Sequence, residues 1–372
     1  MAPLSLHAID KPFISVLMPV YNSERYVADA IRSILAQSFG HFEFIVVDDG
    51  STDNSARVVA EFAGQDIRIR QLLLPHGGVA VALNAGVEVA QGQFIARMDA
   101  DDIALPERFA TQLAWMERTA VDVCGSSVKK FGAEDGILWF PESHTAICHE
   151  LLFRAGLLHP TVLMQADILK CHRYDEQTAF EDYALWTRLA LRYRLGNVPQ
   201  VLLRYRSHTQ QVSRIHDVAL RADLNRLRLP YFQALFPEAT AEEYSALAGV
   251  AEKESFLHLT DLERAGKWLV RLAQTEDNFL RQRMADRWRA TCQRSAHLGL
   301  ECYRLYQQIA AQFEVEETTN SQSLWWLCRL RIGADSRLYI ALRIAKHRLY
   351  GQSVWRQPPK FAWPRSNPNA SA

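Results

Sequence analysis

From residue 13 the chain alternates between two hydrophobic periods. Four short runs, Phe13–Met18, Phe42–Val47, Ile69–Leu74 and Phe94–Met98, read as apolar on both faces and rich in β-branched or aromatic residues. A strand covered on both sides has no polar face to show, so these runs predict buried parallel strands. Between them the period lengthens to that of a helix. Val27, Ala30, Ile31, Ile34 and Leu35 make one apolar stripe, which predicts a helix with Asn22 or Ser23 as N-cap. A second helix is expected from Ser51-Thr52-Asp53, burying Val58, Val59 and Phe62. A third is expected to end at Gly92 as its C′ residue, and a fourth to open at Leu105-Pro106 with the proline at N1. Repetition of strand, helix and strand predicts a doubly wound, mostly parallel sheet. Ligands bind such a sheet beyond the carboxyl ends of its strands.

The pattern then changes twice. Residues 121–210 are mixed, with strands expected at Val121–Val128, Ile137–Phe140 and Val201–Arg206 and a helix at Glu181–Arg192. From about 214 only helical periodicity remains. The expected organisation is an α/β domain over 12–213, an all-helical region over 214–350, and a disordered tail over 351–372, where prolines and small polar residues dominate.

Composition narrows the function classes. The 372 residues carry 42 basic and 42 acidic side chains, so nothing in the charge balance points to nucleic acid as a partner. Cys124, Cys148, Cys171, Cys292, Cys302 and Cys328 form no C-x-x-C pair, which argues against a zinc ribbon. Scattered thiols, the lack of a secretory signal and the lack of a long apolar run predict a cytoplasmic protein without a transmembrane helix.

The candidate chemistry lies where a doubly wound sheet would place it. The first strand ends in Pro19-Val20-Tyr21-Asn22, able to wall a flat ring or simply to turn into a helix. The second ends in Asp48-Asp49-Gly50-Ser51-Thr52. Adjacent carboxylates after a buried strand need partners; one can cap the next helix and the other can accept a hydrogen bond from a base or ribose. The fourth ends in Arg97-Met98-Asp99-Ala100-Asp101-Asp102. Three carboxylates within four residues repel one another unless a cation sits among them, and hard Mg²⁺ or Mn²⁺ suits such oxygens. Arg97 can add a charge-assisted contact. Glu181-Asp182 opens an apolar-striped helix, as a cap or as a general base. Tyr205-Arg206-Ser207-His208-Thr209 follows a strand, and either His208 joins the metal or Arg206 and His208 meet phosphate.

Together these stretches resemble the family 2 glycosyltransferases, inverting enzymes of the GT-A fold. The resemblance covers residues 12–213 and runs through Val16–Asn22, Val46–Asp53, Ala82–Gly86, Met98–Asp102, His159–Thr161, Glu181–Tyr183 and Tyr205–His208. It implies a nucleotide-sugar donor, usually UDP-linked, held by Pro19, Tyr21, Asn22, Asp49, Asn84, Arg97 and Asp99. It implies a divalent cation on Asp99 and Asp101, with His208 as a further ligand, and Asp182 as the base that activates a hydroxyl of a saccharide or lipid-linked acceptor. Leu83 departs from the pattern, since such enzymes often carry arginine there. Polysaccharide or lipopolysaccharide assembly is the family's usual work.

The run 324–350 interleaves Trp325, Trp326 and aliphatic residues with Arg329, Arg331, Arg337, Arg343, Lys346 and Arg348. Such a segment can lie on an anionic membrane surface, which would make the protein peripheral, or can pack on the protein itself. Two other classes compete. A nucleotidyltransferase would need a basic Gly-rich loop near the N-terminus, and none follows the first strand. A non-catalytic binding protein that kept the fold would have no use for the acids at 99, 101 and 182.

Overall fold

The computed structural model describes residues 11–207, 218–315, 322–334, 336 and 338–339. His208, the stretch 340–350 and the tail 351–372 lie outside the described residues.

The first half runs β1 (Ile14–Val20), α1 (Val27–Leu35), β2 (Phe42–Asp48), α2 (Ser55–Ala63), β3 (Ile69–Leu73), α3 (Val79–Val89), β4 (Phe94–Arg97), β5 (Ile103–Ala104) and α4 (Arg108–Thr119). It continues with β6 (Val123–Gly132), β7 (Gly136–Leu138), α5 (His144–Leu151), β8 (Leu163–Gln165), α6 (Ala166–Cys171), α7 (Glu181–Leu189) and β9 (Leu195–Ser207). Among the described residues only helices follow: α8 (Val218–Leu235), α9 (Ala241–Ala251), α10 (Leu259–Ala273), α11 (Asn278–Arg294), α12 (Leu300–Ala310) and α13 (Gln322–Arg329).

The strands form one mixed sheet in the order β3-β2-β1-β4-β8-β6-β9-β5, with β7 beside β6. β3, β2, β1 and β4 are parallel. β8 runs antiparallel between β4 and β6, and β6 and β9 are parallel again. Successive side chains of a strand point to opposite faces. In β1, Val16 and Met18 therefore enter the core beneath α1 and α4, while Leu17 enters the core beneath α3. Both faces of β1 and β2 are covered, which explains their continuous apolar runs; the edge strand β3 is not a buried strand as expected, since only Ile69 is buried and Leu73 is 67% exposed.

Several boundaries differ from the sequence reading. Neither Asn22 nor Ser23 caps α1, whose N-cap is Tyr26 without a side-chain bond. A turn intervenes, in which the Ser23 carbonyl accepts from the amides of Tyr26 and Val27. α2 starts at Ser55, after Asp53 has accepted bonds from the Ser55 amide and hydroxyl. Gly92 is not a C′ residue, because α3 ends at Ala90. It is a close approach instead, where a Cβ would stand 2.5 Å from the Ser15 amide nitrogen. Pro106 precedes α4 by two residues rather than sitting at N1.

One core joins the sheet to the helices. The apolar cluster that begins with Leu17 and Val47 runs through Leu151 and Trp186 to Trp268, Trp288 and Cys328. Within this junction Glu150 of α5, 1% exposed, receives Arg154 at 2.5 Å, Arg283 at 2.7 Å and Arg287 at 2.9 Å, the last two from α11. Burial alone would raise this carboxyl, but the three guanidinium groups hold it well below the usual carboxylate range. Among the described residues no helix is long and apolar enough to cross a membrane.

Candidate active site

The parallel strands deliver their acids to one edge. β1 and β2 end side by side, with Val20 opposite Asp48. Gly50 turns the chain with φ at 71°, a left-handed conformation natural to glycine. Asp48 is spent locally, since its Oδ1 accepts the Ser51 amide at 2.8 Å. Asp49 is buried and looks across to the loop after β3. Its two oxygens accept the Gly77 and Gly78 amides at 2.8 and 2.9 Å. The His76 Nδ1 stands 2.9 Å from the same carboxylate, and its ring stacks on Tyr21 at 4.2 Å with the planes 18° apart.

The two asparagines of the sequence reading do other work. Asn22, with φ at 48°, accepts the Thr52 amide on its Oδ1 at 2.8 Å and so ties the β1 loop to the β2 loop. Asn84 is buried, donating to the Tyr174 carbonyl and Glu176 carboxylate and accepting the Tyr174 amide. Its carboxamide fastens α3 to the segment before α7. Leu83 is fully buried in the core.

Past β4, one oxygen from each of Asp99, Asp101 and Asp102 falls within 4.8 Å of the others. Asp102 is fully buried. Its Oδ1 accepts the Arg206 amide at 2.7 Å, whereas its Oδ2 has no partner. Burial and then the neighbouring Asp99 and Asp101 push its carboxyl well up. An orphaned buried oxygen among three carboxylates fits a hard divalent cation, which prefers oxygen ligands. Tyr205 faces the same acids, and its phenol is pushed up by burial and by them.

Arg97 links this cluster to the start of α7. It is 5% exposed, pairs with Asp99, and lies close enough to Glu181 and Asp182 to favour their charged forms. Desolvation dominates both acids. It raises Asp182, against the Tyr183 amide that donates to its Oδ1 at 2.6 Å. It pushes Glu181 up to about 7, with Asp182 adding to the effect. Behind them His159 puts Nδ1 3.7 Å from Glu181 and Nε2 2.9 Å from the Tyr174 hydroxyl. Burial, and then Arg97, hold that imidazole neutral.

Sequence reasoning missed His76, which no period singles out; it counted Asp102 in the acidic triplet, although the metal set implied by the resemblance named only Asp99, Asp101 and His208. It also missed Arg108, fully buried beneath the site. Arg108 donates to the Arg97 carbonyl at 2.7 Å and to Gln112, and desolvation pulls it down to about 9.

The comparisons with known proteins concern the fold and the family. The model of Glycosyl transferase family 2 matches residues 15–172. The O-antigen biosynthesis glycosyltransferase WbnJ of Escherichia coli is 31% identical over 219 residues, covering 57% of this chain and 85% of that protein. The amylovoran biosynthesis glycosyltransferase AmsE of Erwinia amylovora is 30% identical, covering 61% and 89%. The solved structure of S. aureus TarS 1-349 in complex with UDP-GlcNAc superposes with a TM-score of 0.53 at 16% identity, covering 85% of this chain and 91% of that one, which shows a shared GT-A fold. With a mixed sheet of that fold, acids gathered at its strand ends and two relatives aligned over most of their length, this chain belongs to glycosyltransferase family 2.

Proposed function

We propose that the protein transfers a sugar from a nucleotide-diphosphate donor, UDP-linked, to a hydroxyl of a saccharide or lipid-linked acceptor, with inversion at the anomeric carbon. The observation that carries this reading is buried Arg97, paired with Asp99 and close to Asp182. Through it the candidate cation cluster and the candidate base share one buried counter-charge. The named work of the relatives, in O-antigen and amylovoran biosynthesis, supports polysaccharide assembly as the setting.

Pro19, Tyr21 and Asp49 are assigned to the nucleobase, and Asp99 to the ribose or the ion. Asp99, Asp101 and Asp102, with His208 as a further candidate, would hold a divalent cation, which stabilises negative charge on a departing diphosphate. Asp182 accepts the proton of the acceptor hydroxyl. The oxygen's electron pair forms the new bond to the anomeric carbon as the bond to the diphosphate breaks on the opposite face. One such displacement inverts the centre. Glu181, 13% exposed, stands beside Asp182, and the two acids titrate as a coupled pair raised by burial.

The same reading places the protein on the cytoplasmic side, at the membrane when the acceptor is a lipid. α13 supports the membrane contact: Trp326 is 55% and Leu330 59% exposed, and Arg329 stacks 5.1 Å from Trp325. Apolar and basic groups together suit an anionic lipid interface.

The test is nucleotide release from a panel of UDP-, GDP- and dTDP-sugars with Mn²⁺, Mg²⁺ or EDTA. Metal-dependent UDP release, lost in Asp101→Ala, is expected. Asp182→Asn should abolish transfer yet bind donor as the natural protein does. Donor binding lost together with transfer would contradict the role given to Asp182.

A further inference from the structure

His76 makes two contacts that are also those of a base in a nucleotide site. Its ring lies nearly parallel on Tyr21, 4.2 Å away. Its Nδ1 stands 2.9 Å from the Asp49 Oδ2 and 3.1 Å from the Asp49 carbonyl. Both neighbours are acceptors, so Nδ1 carries the proton. The result is a flat ring on Tyr21 with an N–H aimed at Asp49, which is how a uracil with its ring N–H would sit if Tyr21 and Asp49 hold the base.

Both cannot be there at once. A ring held between two others needs them about 7 Å apart, twice a van der Waals contact of about 3.5 Å. The Tyr21 and His76 rings leave no such gap.

His76 is built to leave. Its side chain is 55% exposed, whereas that of Asp49 is 4% exposed. Gly77 and Gly78 follow it, and Gly78 has φ at 95°. The amides of these two glycines hold the Asp49 oxygens independently of the imidazole. When the ring swings out, the carboxylate therefore keeps its place, and each oxygen retains a lone pair for a new donor.

We propose that the His76 imidazole is an internal stand-in for a single-ring nucleobase, which the donor displaces from Tyr21 and Asp49 on binding. This rests on the nucleotide-donor reading above. Its consequence is twofold. Donor affinity is lowered by the fraction of molecules in which His76 covers Tyr21. The patch that His76 vacates is the size of one ring, which favours a pyrimidine over a purine.

Calorimetric titration with UDP and with GDP, in the presence of Mn²⁺, tests it on the natural protein and on His76→Ala. The variant should bind UDP about three- to tenfold more tightly, with UDP ahead of GDP in the natural protein. His76→Gln, which keeps an N–H for Asp49 but has no ring, should fall between the two. Equal or weaker UDP binding by His76→Ala overturns the stand-in and would make His76 either a bystander or a wall of the site. GDP binding as tight as UDP overturns the single-ring preference. Failure of the natural protein to bind any nucleotide would instead remove the donor reading, and the stand-in with it. A melting curve for each variant checks that the fold is intact, as expected for a residue so exposed.

Discussion

Replacing Glu150 with glutamine should be among the most damaging conservative changes in this protein. The carboxylate is 1% exposed and meets three guanidinium groups at 2.5, 2.7 and 2.9 Å. At an effective dielectric near 20, each such pair is worth about 4 kcal/mol before desolvation, roughly 12 kcal/mol gross for three. Most of that offsets the cost of burying four charges. The change leaves three partly buried guanidinium groups facing one another, and removing the buried partner of such an ion pair costs about 3–5 kcal/mol. We expect that loss in Glu150→Gln. With a urea slope of about 3 kcal/mol/M, the midpoint falls by about 1 M or more. The exposed Arg173–Glu88 pair provides the contrast: Glu88→Gln should cost under about 1 kcal/mol. The pH dependence has a definite sign. The folded-state carboxyl lies below its unfolded value, so its contribution is complete above the ordinary carboxylate range and disappears as pH falls through the depressed value. The natural protein and Glu150→Gln should therefore converge in stability under acid. A loss of less than about 1 kcal/mol at neutral pH, or a gap that survives acid, would refute the electrostatic account of this junction.

Three further outcomes are expected. A base must be ionised to accept a proton, and Glu181 is pushed up to about 7 with Asp182 raised beside it. The acid limb of kcat/KM should thus lie above the ordinary carboxylate range, and Glu181→Gln, which removes a neighbouring acid, should move it downward; an unchanged limb would exclude this pair. Asn84→Ala leaves the buried Tyr174 amide and carbonyl unpaired and should cost about 2–4 kcal/mol by denaturation, with donor affinity unchanged. In liposome flotation with anionic vesicles, the full chain should float and a chain lacking 324–350 should not; equal behaviour would reject the membrane contact.

Legibility in the sequence followed the range of the forces. β1, β2 and α1 were readable because their apolar periods reflect burial on known faces. β5 and β8, of two and three residues, are too short to carry any period. β9 begins at Leu195 rather than Val201 because Pro199 and Gln200 fall at a bulge, where the register with β6 skips from Val198 to Val201. The acids at 49, 99 and 101 stand out in the sequence because they follow apolar strand runs, where an α/β sheet binds ligands, and Asp182 because it opens an apolar-striped helix. His76 and Arg108 were not. One is placed by contacts with residues 27 and more positions away and the other by desolvation, and neither leaves a local signal.

The shared core has a consequence for how such enzymes can diversify. The stretch matched by the family model ends at residue 172, within α/β sequence. The energetic unit does not end there, because Glu150 is neutralised from α11 and the apolar cluster runs on to Cys328. A recombination event that grafted the first half onto another helical tail would leave Glu150 with Arg154 but without the two guanidinium groups of α11, and an apolar face without its cover. In this protein the two halves are therefore one energetic unit, and an exchange of either half would have to rebuild the junction around Glu150.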